Sequence, residues 1–249
     1  MFSFKYCPVA VLVLLLAACG AAPPRQAAGP REAPAQAPQP PRGGALYRID
    51  PAQSELRLLV YRSGTMARLG HNHVIVNRSL DGWVAVAASI AASSFWLKIP
   101  AAAFAVDEAG ARAEEGADFA AVVAEDAKSA TLRNMLGAAL LDADRFPDIT
   151  VRSLELHESV DGSAAGTPVA LLRIRVAGRD STLSVPFSLE RTAGRLSATG
   201  ETGLRQSAIG LRPFSVMHGA IQVQDELRLK FRIVAFPFQA AGKYFCAGK

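Results

Sequence analysis

Cysteine is nearly absent from this 249-residue chain: it occurs three times, at positions 7, 19 and 246. The long stretch between the last two has no thiol, so a domain folded there has no internal disulfide and must stand on its core. Histidine is scarce as well, with four residues, and aromatic residues make up only 7%. The chain contains no Gly-x-Ser-x-Gly elbow, no phosphate-cradling glycine loop and no Cys/His pair outside the tail, so no motif speaks for nucleophilic or nucleotide chemistry. Asp142 and Asp144 are close in sequence, but the end of a helical stretch accounts for them. The net charge of +5 is not gathered into a patch. Arg57, Arg173, Arg175, Arg228 and Arg232 occur singly along strand-like runs, the pattern of a solvated outer face rather than of a nucleic-acid surface.

One continuous apolar run stands near the N-terminus, at residues 9–16, and it is too short to cross a bilayer. With Lys5 before it, residues 1–18 read as a secretory signal. The run ends in Leu16-Ala17-Ala18-Cys19, small residues leading into a cysteine, which is the signature of lipoprotein processing. The expectation is therefore an exported chain acylated at Cys19 and held at a bacterial envelope membrane, the outer one in particular because Gly20 rather than Asp follows the cysteine. Residues 20–44 are Ala, Pro, Gly, Gln and Arg with almost no large apolar side chain. Such a segment buries too little surface to offset its ordering entropy and reads as a disordered tether. One domain is expected over residues 45–236, with a tail at 237–249 that carries Cys246.

Within the domain the dominant period is two. Leu56, Leu58 and Val60 alternate with Arg57, Leu59 and Tyr61. The same alternation runs through Val84 and Val86, Phe95 and Leu97, Leu172 to Val176, Leu183 to Phe187, and most cleanly Leu227 to Ile233. Turn residues separate these runs at Asp161-Gly162, Gly178-Arg179-Asp180, Ala193-Gly194 and Gln224-Asp225. Residues 118–143 differ: they lack proline, are rich in alanine, and place Leu132, Met135, Leu136 and Leu140 at helical spacing. The predicted class is all-β, an extended antiparallel barrel of about eight strands with a short helical insertion. Its inward set comprises Leu58, Val60, Val84, Val86, Phe95, Leu97, Leu183, Val185, Phe187, Leu229 and Phe231. Alanines beside these large residues leave room for a cavity, although the same composition could pack solid.

Leu69-Gly70-His71-Asn72-His73 holds two of the four histidines. On a strand His71 and His73 share a face. Two imidazoles so placed fit either the polar mouth of a cavity or part of a metal site, for which His218 is the best third ligand.

Several segments in one order resemble the YceI-like family. They are Tyr47-Arg48-Ile49-Asp50-Pro51 with Ser54, then Gly70-His71-Asn72-His73, then Leu132-Arg133-Asn134-Met135-Leu136. Asp144-Arg145-Phe146-Pro147-Asp148-Ile149-Thr150-Val151-Arg152-Ser153 and Arg205-Gln206-Ser207-Ala208-Ile209-Gly210-Leu211-Arg212-Pro213-Phe214-Ser215 complete the series. Gln53 stands where the family often has histidine, which places the chain in an outlying branch. The resemblance implies a periplasmic lipocalin-type barrel holding a long isoprenoid tail, of polyprenyl or quinone type, among the inward residues. It implies no catalytic residue and no required cofactor. The rival readings are a metal-binding protein or metalloenzyme built on His71 and His73, and a structural lipoprotein whose barrel is a solid plug.

Overall fold

A computed structural model describes residues 29–159 and 166–238. The signal sequence, Cys19, the Asp161-Gly162 turn and Cys246 lie outside the described residues. The chain begins with β1 (Ala45–Ile49), β2 (Glu55–Val60), β3 (Arg62–Ser63), β4 (His73–Asn77), β5 (Asp81–Val86), β6 (Ser94–Pro100) and β7 (Phe104–Val106). Two helices follow, α1 (Ala109–Ala113) and α2 (Glu125–Leu136). The second half is β8 (Asp148–Ser159), β9 (Thr167–Val176), β10 (Arg179–Pro186), β11 (Ser188–Thr192), β12 (Arg195–Arg205), β13 (Ser215–Val216), β14 (Ile221–Val223) and β15 (Glu226–Pro237).

Twelve strands form one antiparallel sheet, and β13, β14 and β3 form a small second one. The expected eight strands were too few, because several long strands break and change partners midway. β15 is the spine. β12 pairs one edge from Leu196↔Ala235 to Arg205↔Glu226. The other edge is shared by β2, through Leu58↔Leu229, and β1, through Ile49↔Ala235. Pro51 interrupts the chain between β1 and β2, and Ser54 fills the gap. Its hydroxyl accepts from the Val234 N–H at 3.0 Å, so the ladder continues through a side chain.

The barrel also departs from full closure. Among the described residues β10 pairs only with β9, β11 pairs only with β12, and no ladder joins β10 to β12. The strand that should close the cylinder instead steps from one neighbour to the other at Pro186-Phe187. Proline has no N–H to donate, so the ladder can end there without leaving a buried donor unpaired.

α2 lies inside the expected helical region but stops at Leu136, where Gly137 turns extended. Glu125 and Asp126 occupy its first turn and Arg133 its last, each complementary to the helix dipole. Its apolar stripe, with Met135 buried, packs against one end of the barrel. α1 was not expected, and it changes the reading of β2. Leu59, on the face that alternation assigns to solvent, is only 2% exposed. It packs with Val74, Val76, Ala111 and Phe119 in a second, outer core, where Tyr61 meets the Phe119 ring edge-on at 5.4 Å.

Residues 29–44, expected as a free tether, are laid along the outside of the sheet over this stretch. Glu32 N–H donates to the Arg145 carbonyl at 2.8 Å, Ala35 N–H to Asp148, and the Trp83 indole to the Pro38 carbonyl at 3.0 Å. A proline-rich segment cannot fold on itself, yet its carbonyls and few N–H groups can still be used by a neighbouring sheet.

Candidate functional site

Alternation turns one face of every barrel strand inward, and the result is hollow. Two cavities of about 350 and 410 Å³ lie end to end inside the barrel. Leu56, Ile99, Val151, Ile174, Leu204 and Leu229 border both, so the two adjoin along the bore at a shared waist of side chains. Val84, Val86, Phe95, Leu97, Leu183, Val185, Phe187 and Phe231 line the first half, Leu58 and Val60 the second, and Leu229 both. All eleven of these residues border one cavity or the other.

Sequence reading missed the wall contributed by β12, where Leu196, Ala198, Thr202 and Leu204 face the bore. The residue between them on this strand, Gly200, is small for a reason: a Cβ there would collide with the Phe231 ring and the Pro186 carbonyl. Ala127, Ala130, Thr131, Asn134 and Met135 of α2 were also missed as lining. They flank the second half of the bore, where alanine permits close approach of the helix.

The bore is mostly apolar, with Ser89, Ser93, Ser184 and Arg191 in the lining of the first half and the histidine pair in that of the second. His71 and His73 both line it, their ring centroids 6.2 Å apart. Only His73 is in β4; His71 precedes the strand, after a 3₁₀ turn at Ala67–Leu69. Asn72 faces away and clamps the loop: its carbonyl oxygen accepts from Arg62 N–H and its amide donates to the Asp118 carbonyl, both at 3.0 Å.

His73 is fixed from behind. Its Nδ1 lies 2.6 Å from Asp107 Oδ2, and Asp107 is fully buried with a left-handed backbone (φ 56°). The other oxygen of Asp107 accepts from Val74 N–H at 2.9 Å and from the buried Arg112 guanidinium at 2.5 Å. Arg112 also donates to the carbonyls of Asn72 and Ala121. Burial alone would raise the Asp107 carboxyl, but the hydrogen bonds from His73, Val74 and Arg112 outweigh it and hold the group below its ordinary value. In the neutral imidazole this sets the tautomer: Nδ1 carries the proton to Asp107, and Nε2 is left beside the bore, 3.4 Å from Thr131 Oγ1. Nothing in the sequence linked Asp107 and Arg112 to the histidine pair, because the contact spans 34 residues.

The metal reading does not gain its third ligand. His218 is exposed in a 3₁₀ turn, outside the lining of the bore. Among the described residues no group of three His, Cys, Asp or Glu side chains is placed to hold a metal ion. Asp107, the acid against His73, is already engaged by Arg112 and a backbone amide.

Comparison with known proteins agrees with the architecture. The YceI-like domain family matches residues 47–235. No curated protein matches the chain in sequence. Among solved structures, BcnA of Burkholderia cenocepacia superposes with a TM-score of 0.54 at 17% identity, covering 75% of this chain and 98% of that one. A polyisoprenoid-binding domain from Saccharophagus degradans, implicated in plant cell wall breakdown, superposes with a TM-score of 0.50 at 10% identity, covering 77% and 98%. At these identities the likeness is one of fold.

Proposed function

Since the chain belongs to the YceI-like family, we propose that it is a non-catalytic envelope lipoprotein, anchored through Cys19, that carries a long isoprenoid lipid of polyprenyl or quinone type in its bore. The observation that carries this reading is the pair of adjoining cavities, walled mainly by aliphatic and phenylalanine side chains, with His71 and His73 at one end and Arg191 with Ser89, Ser93 and Ser184 among the lining of the other half. An isoprenoid tail asks for apolar area and little else; each methylene moved out of water contributes about 0.8 kcal/mol. Thr131 and the Asp107-held His73 stand where a polar head would emerge, with the tail running past the waist toward Phe95 and Phe187. The fold of the Saccharophagus domain, described as polyisoprenoid-binding, supports the same ligand class.

Organic extraction of the folded protein followed by mass spectrometry tests this. The expected result is an isoprenoid in near-stoichiometric amount, and its loss in Ala198→Phe, which fills the bore from β12. A folded protein that carries no lipid and takes up none from offered polyprenols or quinones overturns the proposal.

A further inference from the structure

The end of the bore beside His71 and His73 has an unusual rim. β3, β13 and β14 form a small platform there, tied to the 3₁₀ turn at Ala67–Leu69 by Met66 N–H donating to the Ala220 carbonyl at 2.8 Å. Four large apolar side chains stand on the platform and its turns facing water: Leu69 (57% exposed), Phe214, Val216 and Met217 (60%). Scattered single exposures are ordinary in a soluble domain; four in one place around a cavity mouth are not. Met217 and His218 both hold a left-handed backbone, φ 51° and 53°. L-residues adopt this conformation at a steric cost, and here it falls at an apolar side chain that faces water.

Charge singles out the same place. Residues 61–77 and 206–224, which build the platform, contain no Asp or Glu. They do contain Arg62, Arg68 and Arg212, all exposed. The first acid beyond them, Asp225, is occupied by the Ser207 amide and hydroxyl.

The path of the N-terminal segment points the same way. Gly29 packs on the Arg145 guanidinium, beside Phe146, which meets Gly178 in the β9–β10 turn. Arg179 in turn donates to the Gly210 carbonyl, next to the platform. The described chain therefore begins at this end of the barrel. Cys19 is ten residues earlier, within roughly 35 Å of Gly29 when fully extended.

We propose that this rim is a membrane-docking surface: Leu69, Phe214, Val216 and Met217 enter the headgroup layer of a bilayer, and Arg62, Arg68 and Arg212 meet the phosphates of anionic lipids. The inference rests on the lipid-carrier reading and adds where the lipid is exchanged. A docked mouth lets a water-insoluble chain pass from bilayer to bore without crossing water, and it puts the polar end of the bore at headgroup level.

Flotation with phosphatidylcholine vesicles, with and without phosphatidylglycerol, tests it. The mature chain is used with Cys19→Ser, so that no acyl group contributes. Binding is expected to the anionic vesicles and to weaken with added salt. Arg68→Ala should lower it about fivefold, and Leu69→Ser combined with Met217→Ser should lower it further. Leu154→Ser, an exposed apolar residue on β8, should change nothing. A parent chain that ignores both vesicles, or rim variants that bind as well as the parent, overturns the proposal. So does a dimer that the rim variants abolish without any vesicle binding, which would assign the surface to a second copy of the chain. Mass spectrometry on the same preparations separates the two readings: isoprenoid in the bore without vesicle binding rejects the docking surface alone.

Discussion

The strand β2 has a different core on each side. Outward, Leu59 joins Val74, Val76, Ala111 and Phe119 in a small cluster packed solid against α1. Inward, Leu56 and Leu58 face the bore and are only half-buried, although alternation makes them the interior side. The outer cluster is the smaller of the two, and the inward core, Val60 of this strand included, holds more of the buried apolar side chains. The inner one is spread around a hole, and a side chain bordering a hole lacks partner atoms on one side. At Leu59 and Leu58, packing away from the bore and lining of the bore fall on opposite faces of one strand.

Buried charge follows the outer side as well. Asp107 and Arg112 fasten α1 to β4, and Glu115 accepts from Arg57 at 2.7 Å and from Lys230 at 2.6 Å. Burial would raise the Glu115 carboxyl, but these two cations hold it below its ordinary value. Burial would likewise lower the Arg57 pKa, and its hydrogen bonds to Glu115, Glu114 and Glu55 reverse that and raise it.

This contrast predicts a ranked set of effects. Asp107→Asn should be the most severe, about 3–5 kcal/mol by urea unfolding, because it leaves the Arg112 guanidinium buried against a neutral amide. A loss near zero would show that the outer layer is not integral. Next come Leu59→Ala and Phe119→Ala, at about 2–5 kcal/mol each, since they open voids in a solid core. Leu58→Ala, one residue away, should cost roughly 1 kcal/mol, the change falling instead on isoprenoid retention. Equal losses at Leu58 and Leu59 would break the comparison.

Gly200→Val should cost about 1–3 kcal/mol by crowding Phe231, and it should reduce lipid uptake as well. Acidification tests the charged layer. Asp107 and Glu115 have depressed values in the fold, so their contribution is fully present above the unfolded carboxylate range near pH 4. It is lost as pH falls through the lower folded values. Glu115→Gln should flatten this acid limb of a stability–pH curve. Arg175→Ala should be smallest, about 0–1 kcal/mol, because its pairing with Glu32 of the N-terminal segment is half-exposed.

Much of the bore was readable before the fold was known. Every inward position named from period-two alternation lines the cavity, because a strand has only two faces and one was consistently apolar. β12 was not readable. Its inward face is Leu196, Ala198, Gly200, Thr202 and Leu204, and the small residues that make room for Phe231 also erase the hydrophobic signal. The burial of Leu59 is hidden for the opposite reason: nothing local announces that a short, alanine-rich helix far along the chain will cover it.

The sequence by itself determined an all-β domain, the faces of its strands, a helical insertion and a histidine pair on one side. Those depend on periods of two and 3.6 residues, which are local. Tertiary structure alone decided that the barrel is hollow, that Asp107 and Arg112 stand behind His73, and that His218 does not join the pair. It also laid residues 29–44 along the sheet and gathered the apolar rim from segments some 150 residues apart. These depend on which distant surfaces meet and how completely they fill the space between them, and a periodic pattern holds no information about either.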